Sequence, residues 1–266
     1  MKLLKFVPSL FLALMFSLLL SIPALALENE PLEEQEPTPA TVRTLDELLT
    51  AIESAENGNT IILQNGIAID GNCTIGKEEK RITIIPADDF DGNIMFQIWP
   101  HEKQNIVLQN VVLDGRNNSA LTAIEVNFYG VPSSKGTIYL TDIQVKNFIS
   151  SHATIYINNI STIISDCQFL DNTAQRTAGV EIATNATGQI SDCIFSGNSS
   201  LGNGGALRCQ GQVQIESTTI TQNQAVNSDT AVMGGGIYIG QQANSKQCTT
   251  RDWIVYLIFY IFAVLF

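Results

Sequence analysis

Ile164-Ser165-Asp166-Cys167-Gln168-Phe169-Leu170-Asp171-Asn172 and Ile190-Ser191-Asp192-Cys193-Ile194-Phe195-Ser196-Gly197-Asn198 are one phrase written twice, 26 residues apart. The register continues upstream in Leu140-Thr141-Asp142-Ile143-Gln144-Val145 and downstream in Ile215-Glu216-Ser217-Thr218-Thr219-Ile220-Thr221-Gln222-Asn223. Its anchors, Asp142, Asp166, Asp192 and Ser217, lie 24, 26 and 25 residues apart. An earlier copy, Leu108-Gln109-Asn110-Val111-Val112-Leu113, sits 32 residues before the Asp142 copy, which requires one longer loop between those units. A fixed period of this length marks a solenoid, in which each unit buries its apolar face only against its neighbours.

Each unit carries a second apolar phrase: Ala123-Ile124-Glu125-Val126, Ala153-Thr154-Ile155-Tyr156-Ile157, Ala178-Gly179-Val180-Glu181-Ile182, Gly205-Ala206-Leu207-Arg208-Cys209 and Gly235-Gly236-Ile237-Tyr238-Ile239. Both phrases alternate apolar and polar residues with period two, and residues 60–240 show no sustained 3.6-residue period. Short strands stacked coil upon coil follow, and helical repeats are excluded. The inward positions then form columns, Val145, Phe169, Phe195 and Ile220 in one and Ile124, Ile155, Val180, Leu207 and Ile237 in another. Roughly seven coils at an interstrand spacing of about 4.8 Å are expected.

The alternation of Phe-x-x-Asn (Phe169 to Asn172, Phe195 to Asn198) with Gly204-Gly205-Ala206-Leu207 and Gly234-Gly235-Gly236-Ile237 resembles the repeats of polymorphic outer-membrane-protein adhesins, with Ile220 in place of Phe in the third copy. More broadly, residues 43–240 resemble right-handed parallel β-helix proteins of the pectin-lyase-like class, including an opening Leu45-Asp46-Glu47-Leu48-Leu49 helix similar to their N-terminal cap. The resemblance implies an all-β right-handed solenoid. It also implies either surface adhesion or action on polysaccharides. The sequence contains no counterpart of the adhesins' C-terminal autotransporter barrel.

Asn172, Asn198 and Asn223 follow a strand at a constant offset, where an amide can bond the turn backbone or its equivalents above and below and where left-handed geometry is tolerated. The glycine pairs offer positive φ or room for a close loop, and lack the Lys-Ser/Thr that follows a phosphate loop.

Residues 1–26 read as a secretory signal peptide, with Lys2 and Lys5 ahead of an apolar run from Phe6 to Leu20 and small residues at Ala24-Leu25-Ala26. Residues 27–42 read as a solvated acidic, Pro-rich linker. The β-helix with its cap is expected over 43–240, the cap opening at Thr44 with Glu47 three residues later. A polar linker, 241–252, precedes an apolar tail, 253–266, which leaves two readings open: a membrane attachment, or a repeat array cut short before its closing coil. Sequons stand at Asn72, Asn117, Asn159, Asn185 and Asn198.

The chain carries 14 basic against 26 acidic residues, −12 overall, and loss of Lys2 and Lys5 with the signal leaves 12 against 26, or −14. Such an acid excess speaks against a nucleic-acid partner. The five cysteines have no zinc-site spacing, and Cys167 and Cys193 occupy equivalent inward positions, as stacked small hydrophobes or a disulfide.

The chemistry concentrates in an outward column of the second phrase, Glu125, Tyr156, Glu181, Arg208 and Tyr238. Rings stack on sugar faces, and carboxylates and guanidinium grip hydroxyls or acidic groups. The plainer reading is an exposed strand face with a Glu181–Arg208 ion pair. Were the chain an enzyme, Glu125 and Glu181, two coils and about 9–10 Å apart, would be its carboxylates. The clustered aspartates with His of polygalacturonase-like sites and the close Arg pair of pectate-lyase-like sites are missing from the sequence pattern, and His101 and His152 read as solvated loop residues. No cofactor is required; Asp88, Asp89 and Asp91 are the residues a calcium ion would use, in what otherwise reads as an acidic turn. The expectation is a secreted or surface-tethered binding module for a glycan or host surface, with a polysaccharide lyase or glycoside hydrolase and a non-binding stalk as alternatives.

Overall fold

The computed structural model describes residues 39–100, 104–127, 136–226 and 234–240, together with the backbone of Cys248–Arg251. The signal (1–26), residues 27–38 of the acidic linker, His101, the polar linker 241–252 apart from the backbone of 248–251, and the apolar tail lie outside the described residues. The described residues form an all-β, right-handed parallel β-helix of about six turns, with one short helix near the start, rather than the seven coils expected.

Each full turn presents three faces. The first carries Val111–Asp114, Gln144–Lys146, Gln168–Leu170, Ile194–Ser196 and Thr219–Thr221. On the second face lie Thr122–Asn127, Ala153–Asn158, Thr177–Ile182, Leu207–Cys209 and Ile237–Ile239. The third holds Cys73–Ile75, Asn105–Gln109, Thr137–Thr141, Ser161–Ser165, Thr187–Ser191, Gln212–Glu216 and Cys248–Arg251. A narrow ribbon of two-residue strands, Ile149–Ser150, Thr173–Ala174, Ser199–Ser200 and Gln224–Ala225, lies between the first and second faces. Near the N-terminus, the long strands Thr60–Ile69 and Ile82–Ile98 bend from the first face into the second, with register shifts between Leu63 and Ile67. The stretch Asp88 to Asn93, expected as a turn, is part of that second long strand.

The repeat phrase is thus a corner, not a strand. Ile164 and Ser165 end the third face, Asp166 turns the chain, and Gln168–Leu170 begin the first. Asn110, Asp142, Asp166, Asp192 and Ser217 all hold left-handed φ, between 46° and 57°, which accounts for the short polar residues at this anchor. Asn110, Asp142, Asp166 and Asp192 each donate the N–H to the coil above, as Asp166 does to the Ser191 carbonyl at 3.1 Å. The extra length of the early unit falls between Thr122–Asn127 and Thr137–Thr141, where residues 128–135 lie outside the described set.

Inside, the expected columns are in register. Val145, Phe169, Phe195 and Ile220 are successive partners on the first face, at most 6% exposed, and Phe169 and Phe195 stack at 4.4 Å. Ile124, Ile155, Val180, Leu207 and Ile237 stack likewise on the second. Cys167 and Cys193 are free, buried thiols that donate to the Ser165 and Ser191 carbonyls at 3.0 Å.

The helix Leu45–Ser54 caps this core at the N-terminal end. Its capping box is formed: Glu47 N–H donates to Thr44 Oγ1 at 3.2 Å, and Thr44 N–H to Glu47 Oε2 at 3.3 Å. Leu48 and Ile52 are buried, while Leu45 and Leu49 pack at the rim. The coil begins earlier than expected, since Ala40–Val42, inside the stretch read as linker, pairs with Ile61–Leu63 and buries Val42.

The asparagines form a ladder within the core. Asn172 and Asn198 have no exposed surface. Asn198 Nδ2 donates to the Phe169 carbonyl (2.9 Å) and to Asn223 Oδ1 (2.8 Å), while its Oδ1 accepts from Asn172 Nδ2 (3.0 Å) and Asn172 N (3.2 Å). The left-handed position is the residue before each rung, Asp171, Gly197 and Gln222, rather than the asparagine itself. Burial also removes the Asn198 sequon from any modifying enzyme in the folded chain. Both uses expected of the glycine pairs occur, for Gly204 has φ +83° and a Cβ on Gly205 would lie 2.0 Å from the Gly235 carbonyl oxygen.

Replacing Asn198 by Ala strands the Phe169 carbonyl and the Asn172 amide groups in the core, and is expected to cost about 3 kcal/mol. A urea titration followed by circular dichroism checks this; an unchanged midpoint would show that the ladder is dispensable.

Candidate functional site

The outward column of the second face is in register as expected. Glu125 pairs with Tyr156, Tyr156 with Glu181, Glu181 with Arg208, and Arg208 with Tyr238. Four of these side chains are half-buried, and Glu125 accepts a 2.7 Å hydrogen bond from Asn127 Nδ2.

Glu181 departs from the expected exposed face, because it has no exposed surface at all. Its own coil and the next one close over it. Arg176, in the corner after Thr173–Ala174, reaches Glu181 Oε1 at 2.7 Å, and Arg208 Nε lies 3.5 Å from the same oxygen. Gln210, with its amide oriented to match its partners, donates to Oε1 at 3.1 Å and accepts from Arg208 Nη2 at 3.1 Å. Among the described residues, Oε2 has no hydrogen-bond partner.

Further side chains, not singled out in the sequence, complete the cluster. Arg176 Nη1 lies 2.9 Å from His152 Nε2, and the His152 ring meets Tyr156 edge-on at 4.9 Å. At the other end, the Arg208 guanidinium sits 5.3 Å from the centre of the Tyr238 ring. A close arginine pair therefore exists, although the sequence pattern does not display one, and His152 is half-buried and bonded rather than solvated. The available signal was spacing: His152 and Arg176 are 24 residues apart, the same interval as Asp142 and Asp166, and Arg176 N–H donates to the His152 carbonyl at 2.8 Å.

Burial raises the affinity of the Glu181 carboxylate for a proton, and the arginines pull in the other direction without cancelling it. Burial, then Arg176 and Arg208, lower the pKa of His152. Arginine only donates, so the contact between Arg176 and His152 requires a neutral imidazole with a lone pair on Nε2. Two guanidiniums against one carboxylate leave this cluster locally cationic on a chain whose net charge is −12.

Asp88, Asp89 and Asp91 are exposed on the long strand, and Asp88 is held by Arg116 Nη1 at 3.2 Å. Among the described residues, no three His, Cys, Asp or Glu side chains are grouped to hold a metal ion, and no helix is long and apolar enough to cross a membrane.

No protein-family model matches the chain, and no curated protein matches it. Among solved structures it is similar to ORF18 of Geobacillus virus E2, at 11% identity and a TM-score of 0.28, covering 79% of this chain. The chain spans 58% of the length of that viral protein.

The raised proton affinity of Glu181 fixes the sign of one pH effect. Its stabilising contribution is complete below the ordinary carboxylate pKa and is lost as pH rises through the higher folded value. Relative to Glu181→Gln, which keeps the neutral shape, the native chain is expected to lose stability between pH 4 and pH 8. Parallel denaturant titrations at the two pH values measure this, and a stability difference independent of pH would refute it.

Proposed function

We propose that the chain is a surface-binding module whose second face takes an acidic glycan, with Arg176 and Arg208 gripping its anionic groups between the Tyr156 and Tyr238 rings. One observation carries this reading: the enclosed Glu181 carboxylate holds two guanidiniums whose own side chains remain 36% and 16% exposed. Guanidinium forks match carboxylate and sulfate groups in a plane, and arginines fixed before binding lose less freedom when the ligand arrives. Tyrosines on either side supply flat apolar surface with a polar tip, suited to a sugar ring.

The same geometry disfavours hydrolysis through Glu125 and Glu181. A carboxylate without exposed surface offers no oxygen to a glycosidic bond, and Tyr156 stands between the two in register. The parallel β-helix is compatible with a surface-binding or lyase-like module. The resemblance of its Phe-x-x-Asn and Gly-Gly phrases to adhesin repeats favours the former. Export through residues 1–26 and surface attachment through 253–266 complete the proposal, and accord with a net charge of −12.

In calorimetric titrations of the full chain, an oligogalacturonate or a sulfated oligosaccharide should bind more weakly as salt rises. Arg176→Ala/Arg208→Ala should weaken that binding at least about tenfold through loss of two charge-assisted contacts. Absence of binding, or binding indifferent to the double variant, would exclude the arginine strip. New reducing ends or unsaturated products would replace the binding module by an enzyme.

A further inference from the structure

We propose that the third face carries a second, independent groove that binds a neutral, hydroxyl-rich chain, an uncharged polysaccharide. The groove, of about 390 Å³, runs across Thr137–Thr141, Ser161–Ser165, Thr187–Ser191 and Gln212–Glu216. That volume lies within the ordinary range of ligand sites. It is distinct from the arginine strip, which belongs to the second face.

Its chemistry differs from that of the rest of the surface. None of the groove's lining residues is charged, in a chain where 15% of residues are. The outward columns of the second face include Glu125 and Arg208, and those of the first include Asp114 paired with Lys146. On the third face, one outward column is Thr137, Ser161, Thr187 and Gln212, in direct register. The next is Tyr139, Ile163, Gln189 and Gln214. Hydroxyls and amides both donate and accept, which matches the alcohol groups of a sugar. An anionic ligand would give up its hydration there with no counter-charge in return.

The ladder is partly organised in advance. Thr187 Oγ1 donates to Ser161 Oγ at 2.9 Å, so these hydroxyls already share a direction along the axis. Ile163 lines one end of the groove and offers apolar surface to the C–H face of a sugar ring, with Tyr139 next to it in register just outside the lining. Towards the other end, Gln189 is exposed and has no hydrogen-bond partner among the described residues, while Gln214 Nε2 donates to Glu216 Oε1 at 2.7 Å. Uncharged hydrogen-bonding side chains stand in one column at successive coils, Thr137, Ser161, Thr187 and Gln212, about 4.8 Å apart, so the surface extends along one direction. A linear polymer can run along that direction across several coils, which a compact solute cannot.

The test uses the full chain, titrated calorimetrically with neutral gluco-, xylo-, manno- and galacto-oligosaccharides at low and high salt. At least one series should bind with an affinity insensitive to salt. Gln189→Ala/Gln214→Ala changes two exposed side chains and should leave the circular dichroism unchanged while weakening that binding about tenfold, through loss of amide hydrogen bonds. A second variant, Thr187→Arg, places a bulky charge in the groove and should abolish it. Binding of the acidic oligosaccharide should persist in both variants, so failure of this groove and failure of the arginine strip are separable. The proposal is overturned if no neutral series binds, if binding survives both variants, or if the variants instead change the oligomeric state, which would make this face an interface between copies.

Discussion

Every outward column depends on the parallel backbone register between coils, and that register is pinned at the corners. A sheet strand alone tolerates slippage when its exposed face has no preference. Here each coil turns at a left-handed residue, Asp142, Asp166, Asp192 or Ser217, whose N–H bonds the next coil at the same offset in the three cases Asp142, Asp166 and Asp192. The next corner adds Asn172, Asn198 and Asn223, whose amides bond both to one another and to the carbonyls of the coil below. Two of these amides are fully buried, so a slip of one residue would leave strong donors and acceptors unpaired in the core. That penalty falls on every rung together. Side chains such as Tyr156 and Tyr238, separated by 82 positions, consequently share one line.

The sequence displayed this frame clearly because the constraint is local and repeated. Period-two alternation identified the inward columns, the recurring Asp and Asn marked the corners, and Thr44 with Glu47 opened the capping helix. The number of faces was harder to read. Thr187-Gly188-Gln189-Ile190-Ser191 merges without a break into the corner phrase, and two-residue ribbon strands such as Ser199–Ser200 are too short to alternate. The site was half legible. Periodicity assigns a residue to a face but does not say which long side chains from adjacent coils will cover it. Glu181 is outward by parity and enclosed in fact, because Arg176 approaches from a corner where no alternation exists to announce it. Third-face hydroxyls were overlooked for the opposite reason, since Thr, Ser and Gln on a strand resemble ordinary solvated positions until their register aligns them.

The two faces handle electrostatics in contrasting ways. On the second, a carboxylate is taken out of water and stabilised by two guanidiniums, an arrangement whose net contribution to folding is small or unfavourable. The arrangement serves orientation more clearly than stability, because the buried oxygen fixes where the arginine forks stand. The third face avoids that desolvation cost by carrying no charge within its groove. An uncharged surface gains little from any one hydrogen bond, about 1 kcal/mol against water.

Repetition changes the scale of so small a contact. A ligand held at one coil presents its next unit to the next coil at a high effective concentration, so successive contacts form within one complex rather than as separate encounters. Affinity then grows with the number of coils engaged, while each coil remains weak enough to release. The solenoid gives both faces the same backbone register, and side-chain chemistry separates them. In the functions proposed here, arginines on one face would take a ligand with anionic groups, and hydroxyls and amides on the other a ligand with none. A single set of corner residues therefore organises two surfaces of contrasting chemistry on one stack of coils.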